Sequence, residues 1–255
     1  LITMNTWVLI RGLTREQAHW GDFGRELALA LPGARVVAVD LPGAGVLRQQ
    51  PVSLRVQAMV EACRQQLREA GVAPPYSLLG LSLGGMVAAE WCRLWPHEVR
   101  CCVLVNTSMR PYSPPQRRLN LALLPQMLRV LFDSDTGRAE RAVLQLTSAD
   151  PARHRAVLQQ WQHIRQQRPV ARANALRQLL AAALYRWPGG APVVPVLVVC
   201  CAADALVSPD CSRLIAQAWG APLATHASAG HDLPLDAGGW LAAEVARWCA
   251  SGNLV

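Results

Sequence analysis

Apolar residues along the first 106 positions follow two alternating rhythms. Short continuous runs, TWVLIRG, ARVVAVD, YSLLGLS and RCCVLVN, read as strands. Between them, apolar residues recur at helical spacing over about 16–31, 53–70 and 85–95, the last stretch closed by Pro96. Runs without polar alternation fit strands covered on both faces, as in a parallel sheet. Their alternation with helices predicts an α/β chain with a mostly parallel, doubly wound sheet. From about 111 to 187 the rhythm changes to helix alone: QRRLNLALLPQMLRVLF, GRAERAVLQLT, PARHRAVLQQWQHIRQQ and ARANALRQLLAAALY. Strands resume at PVVPVLVVCCAAD and near PLATHAS, and a last helix covers about 239–250. The expected organisation is one core built from 1–110 and 188–255, interrupted by a helical insertion at 111–187. No internal repeat or low-complexity linker breaks this reading.

Composition adds limits. With 52% hydrophobic and 16% charged residues in 255, there is ample material for a core. No apolar run approaches the ~20 residues needed to span a bilayer, and LITMNTWVLIRG reads as a strand rather than a cleavable leader. Two adjacent cysteine pairs, Cys101–Cys102 and Cys200–Cys201, lie inside strand runs, where neighbours point to opposite faces. They read as small buried hydrophobes, which favours a reducing, cytoplasmic setting. The net charge of +8 is carried by arginine alone. Residues 110–177 hold twelve arginines against four acids, whereas the rest is balanced at thirteen against thirteen. The excess is either a solvated helical surface or a docking face for an acidic partner. No nucleic-acid-binding motif accompanies it.

Candidate chemistry centres on GLSLG, residues 80–84. The pattern G-x-S-x-G after a strand and before a helix describes a sharp turn that lifts the serine hydroxyl above the sheet, with tiny neighbours at Gly80 and Gly84 to avoid collision. The following helix N-terminus then faces any negative charge that develops there. A serine needs a base, and the base an orienting carboxylate. In chain order Ser82 is followed by Asp204, just beyond a strand, and His231, in the loop before the last helix. Asp210 is better explained as a helix N-terminal acid after Ser208-Pro209, and His226 falls within a strand. His19, His97, His154 and His163 lie on helix-like segments, and Asp232 adjoins the proposed base, so the two side chains diverge. No His-Glu-x-x-His or Cys-x-x-Cys is present, so neither metal nor other cofactor is expected.

Over essentially its whole length the chain resembles the α/β-hydrolase superfamily. VLIRGLTREQAHW resembles the oxyanion loop, VVAVDLPGAG the strand and turn after it, GLSLGG the nucleophile elbow, AADALVSP the acid loop and AGHDLP the histidine loop. The resemblance implies a helical cap over the sheet and an esterase, thioesterase or lipase acting on a small-molecule acyl ester or thioester. The nearest functional group is the pimeloyl-[acyl carrier protein] methyl ester esterases and similar small carboxylesterases. The resemblance also implies an oxyanion hole from the N–H groups of Leu13 and Leu83. Arg11 stands where the family usually has histidine, and either braces that loop or binds a substrate carboxylate. Cap positions Leu121, Leu124, Met127, Leu128 and Leu131 recur at helical spacing; most of them read as cap core, and some as facing a cleft suited to an acyl chain. Arg138, Arg141, Arg153 and Arg155 crowd two adjacent helical segments and suit docking of an acidic carrier protein. The reading from another class is a hydrolase fold retained as a non-catalytic binding module.

Overall fold

The computed structural model describes residues 5–251. Residues 1–4 and 252–255 of the expected core therefore lie outside the described residues. The strands are β1 (Thr6–Ile10), β2 (Arg35–Val39), β3 (Tyr76–Leu81), β4 (Val99–Val105), β5 (Val196–Cys201) and β6 (Leu223–His226). They form one sheet in the order β2-β1-β3-β4-β5-β6, with every neighbouring pair parallel. Helices α1 (Phe23–Ala30) and α10 (Leu233–Ala250) cover one face; α2 (Val56–Glu69), α3 (Leu83–Leu94) and α9 (Pro209–Trp219) cover the other.

This two-sided cover explains the unbroken apolar runs. Val8 and Ile10 pack towards α2 and α3, whereas Trp7 and Leu9 pack towards α1 and α10. Likewise Cys102 and Leu104 enter the first cluster, and Cys101, Val103 and Val105 the second. A strand with water on neither side favours apolar residues at nearly every position, and the buried Ser77 of β3 is tolerated because its hydroxyl donates to Asn5 Oδ1 at 2.8 Å. All eight cysteines are free, and seven of them are buried.

Between β4 and β5 the described chain is helical: α4 (Pro115–Arg118), α5 (Leu124–Phe132), α6 (Thr136–Thr147), α7 (Val157–Gln167) and α8 (Arg172–Leu184). The segment leaves and rejoins the sheet at a parallel bridge between Arg110 and Arg186, where Trp187 N donates to Arg110 O at 2.6 Å. Several helices differ from their expected bounds. The stretch 16–31 is broken at Gly21, whose φ of +53° favours glycine, into a short 3-10 turn and α1. Ser53 accepts from Arg55 N and opens a turn, so α2 starts only at Val56. Pro125 divides the next stretch in the same way: LNLALLPQ gives a 3-10 turn at Leu121–Leu123 and then α5, with Pro125 in its first turn, where no N–H is needed. Residues 151–156 form turns, so His154 is not helical. The last helix starts early, at Leu233, and kinks at Ala237.

Candidate active site

β1 and β3 are neighbours in the sheet, but their onward connections diverge: β1 leads to β2 on one side, while β3 leads to β4 on the other. Crevices at such switch points, beyond the carboxyl ends of the strands, are where ligands bind in open α/β sheets. Ser82 stands there, between β3 and α3, with φ 59° and ψ −116°. The flanking glycines are required by contact. A Cβ on Gly84 would collide with the Ile10 carbonyl oxygen, and one on Gly80 with the Gly84 carbonyl. The strained turn is held by Ser82 N donating to Val105 O at 2.9 Å and by Thr107 Oγ1 donating to Ser82 O at 2.7 Å.

Asp204 follows β5. Its Oδ1 accepts from the Leu206 and Val207 N–H groups at 2.9 and 3.0 Å. Its Oδ2 lies 2.7 Å from His231 Nδ1. With a carboxylate at Nδ1, the proton of the neutral ring sits there and leaves Nε2 as the free acceptor. Burial pulls the imidazole pKa down, but the charge and hydrogen bond of Asp204, helped by Asp232, outweigh it, and the pKa lies above the usual 6.5. Ser82 and His231 line the same cavity, though no hydrogen bond joins them in this structure. Such bonds commonly tighten only when substrate is present.

The loop after β1 reaches over the serine. A Cβ on Gly12 would sit 3.1 Å from Ser82 Cβ and 3.2 Å from the Leu81 carbonyl oxygen, so the loop's close approach leaves little room for a side chain. Beyond it, Thr14 N donates to Gln178 Oε1 at 2.8 Å, and Gln178 in turn donates to Pro42 O. Leu13 and Leu83 both line the cavity, and neither N–H is used by another group among the described residues. Arg11 pairs with Asp232, with Nη1–Oδ1 3.0 Å and Nη2–Oδ2 2.7 Å. Its guanidinium also lies over Trp20, 5.0 Å from the ring centroid. The side chains of His231 and Asp232 thus diverge to separate partners, and the loop after β1 and the loop carrying His231 are joined by a buried ion pair.

The cavity, about 280 Å³, lies between sheet edge and insertion. Four of the five cap positions, Leu121, Met127, Leu128 and Leu131, line it, more than the expected few, and only Leu124 does not.

The Alpha/beta hydrolase family profile matches residues 7–244. The chain belongs to the alpha/beta hydrolase family. Among solved structures, this hydrolase is similar to the enol-lactonase of Burkholderia xenovorans LB400 (18% identity, 98% of this chain and 92% of that one, TM-score 0.78). It is also similar to a thermophilic esterase of Thermogutta terrifontis (20%, 98% and 91%, 0.72) and to an esterase of Rhodococcus sp. ECU1013 (20%, 97% and 90%, 0.74). At these identities the likeness is one of fold. A search of curated proteins finds no match.

Several contacts in the hydrolase site have no signature in the sequence. Asn106, with φ +47° at the end of β4, accepts from Cys201 N at 2.9 Å and donates to the His231 carbonyl at 2.9 Å, tying β5 to the histidine loop. Asp236 accepts from Gly230 N and Ala149 N and from Ser148 Oγ, so the same loop is fastened to the insertion. Arg15 pairs with Glu140 at 2.7 Å, and Arg168 with Glu16 at 2.5 Å, fastening the chain after β1 to the insertion as well. Arg141, Arg153 and Arg155 are exposed. Arg138 is exposed too, but Asp133 pairs with it at 2.5 Å, so its charge is not free as the sequence pattern suggested. Asp210 binds Arg213 at the start of α9, where Ser208 caps the helix. His226 Nδ1 accepts from Ala229 N, and its ring packs edge-on to Trp240, away from proton-transfer duty. No helix among the described residues is long and apolar enough to cross a membrane.

Proposed function

We propose that the protein is a serine hydrolase that cleaves carboxylic esters through an acyl-enzyme. Ser82 Oγ attacks the ester carbonyl while His231 Nε2 takes its proton. Asp204 holds the ring and stabilises the imidazolium, and the N–H groups of Leu13 and Leu83 receive the oxyanion. Each such donor contributes about 3–4 kcal/mol in the transition state. The imidazolium then protonates the leaving alcohol, and water, activated by the same ring, releases the acid. The observation that carries this reading is the 2.7 Å His231–Asp204 contact, in a cavity that the strained Ser82 also lines. Arg11 acts as a brace, because Asp232 occupies both of its Nη groups. Residues 111–187 serve as the cap that excludes water.

The test is labelling with a fluorophosphonate. Wild type forms an adduct on Ser82 and hydrolyses p-nitrophenyl esters; Ser82→Ala does neither, with turnover down ~10⁴-fold or more. Failure of folded wild type to label or turn over would leave a binding module. The apparatus suits thioesters equally, and the three exposed arginines Arg141, Arg153 and Arg155, without a carboxylate partner among the described residues, support docking of an acidic carrier protein that delivers one. Eight free thiols support a reducing cytoplasmic setting.

A further inference from the structure

The lining of the catalytic cavity is mostly apolar, yet three arginines reach it: Arg11, Arg15 and Arg118. Two have buried carboxylate partners, Arg11 in Asp232 and Arg15 in Glu140, which Arg165 shares. Arg118 does not. It is only 8% exposed, and no acid pairs with it among the described residues. Its Nη1 and Nη2 donate to the carbonyls of Ala183 and Ala182, at 2.9 and 2.5 Å, near the end of α8. Its Nε is buried and has no partner among the described residues.

Capping a helix accounts for two of the five donors, but neutral carbonyls do not balance a whole charge. Burial is the chief influence on Arg118 and pushes its pKa down, and Arg110 pushes the same way; only the Cys211 thiol opposes them. Arginine nevertheless stays protonated in proteins. A desolvated, unmatched guanidinium is costly in an apolar wall unless an anion arrives with the ligand.

We propose that the ester cleaved at Ser82 carries a carboxylate remote from the scissile carbonyl, and that Arg118 receives it. One unmatched cation calls for one negative charge, which favours a carboxylate over a phosphate. The apolar lining, including Met86, Leu119, Leu179 and Val207, suits a methylene spacer between the two polar ends. The Arg118 guanidinium is delivered by α4, so the specificity resides in the insertion and the chemistry in the sheet. This inference rests on the ester-hydrolase reading above.

The test compares matched substrates. On the acyl side, p-nitrophenyl half-esters of straight-chain dicarboxylic acids are set against p-nitrophenyl alkanoates of equal carbon count. On the alcohol side, butyrate esters of ω-hydroxy acids are set against those of simple alkanols. In wild type, kcat/KM for the anionic member exceeds that of its neutral partner by ~10-fold or more in one arm, as a charge-assisted hydrogen bond provides. The ratio falls towards one in Arg118→Gln, mainly through KM, and is partly restored in Arg118→Lys. Equal losses on anionic and neutral substrates in Arg118→Gln would assign the side chain to helix capping alone and overturn the proposal. Should that variant not fold, wild type decides: a ratio of one or below in both arms overturns it. Hydrolysis of neutral esters without anion preference removes this inference alone, whereas absence of all hydrolysis and of fluorophosphonate labelling removes the ester-hydrolase reading too.

Discussion

Asp232→Asn isolates the charge of the Arg11–Asp232 pair while keeping its shape. The two side chains are 3% and 4% exposed, and Arg11 Nε already lacks a partner. Removing the carboxylate strands a buried guanidinium on one neutral acceptor. Breaking a buried pair from one side costs about 3–5 kcal/mol, and the retained carboxamide oxygen places this substitution near about 3 kcal/mol. For a chain of this size, about 2–4 °C per kcal/mol gives a Tm lowered by about 6–12 °C at pH 7. The pH dependence has a definite sign. Burial pushes the Asp232 carboxyl up, but the charge and hydrogen bonds of Arg11, with Arg15 and His231 behind them, hold it below the usual range. Its contribution is therefore complete above the unfolded carboxyl pKa of about 3.9 and disappears only as pH falls through the lower folded value. Differential scanning calorimetry of both proteins from pH 8 downward should show a constant gap that narrows only below about pH 4. The double variant Arg11→Met with Asp232→Leu should recover much of the loss, since no charge is left unmatched. A pH 7 gap under about 1 °C would refute the account of this pair as a buried brace.

Because Asp204 and Asp232 together hold the His231 pKa above 6.5, the acid limb of kcat/KM should inflect above that pH in wild type. Asp204→Asn should move the inflection down and depress kcat; an unmoved inflection would mean that another group titrates. Asn106→Ala removes the bridge between Cys201 N and the His231 carbonyl and should lower kcat ~10-fold or more, with little change in KM. A kcat within about twofold of wild type would make Asn106 a structural residue only. Replacing Arg141, Arg153 and Arg155 by glutamate should slow turnover of a carrier-linked substrate and flatten its salt dependence relative to a free ester. Equal salt slopes in wild type and variant would remove the docking proposal.

Features written in short-range pattern were legible in the sequence. All six strands could be located, the inner ones most sharply, because strands covered on both faces are apolar at nearly every position. The crowding around GLSLG is likewise local in character, since the glycines answer steric demands of one turn, even though part of the collision comes from β1. Helix ends were harder to place, because Gly21, Ser53 and Pro125 act through backbone geometry that periodicity does not report. What only the folded chain decided is which charges meet. Arg11 finds Asp232 across 221 positions, Arg15 finds Glu140 across 125, and Arg118 finds no carboxylate among the described residues. Coulomb attraction and desolvation depend on distance in space and on burial, and an arginine that is matched and one that is not are the same letter in the sequence.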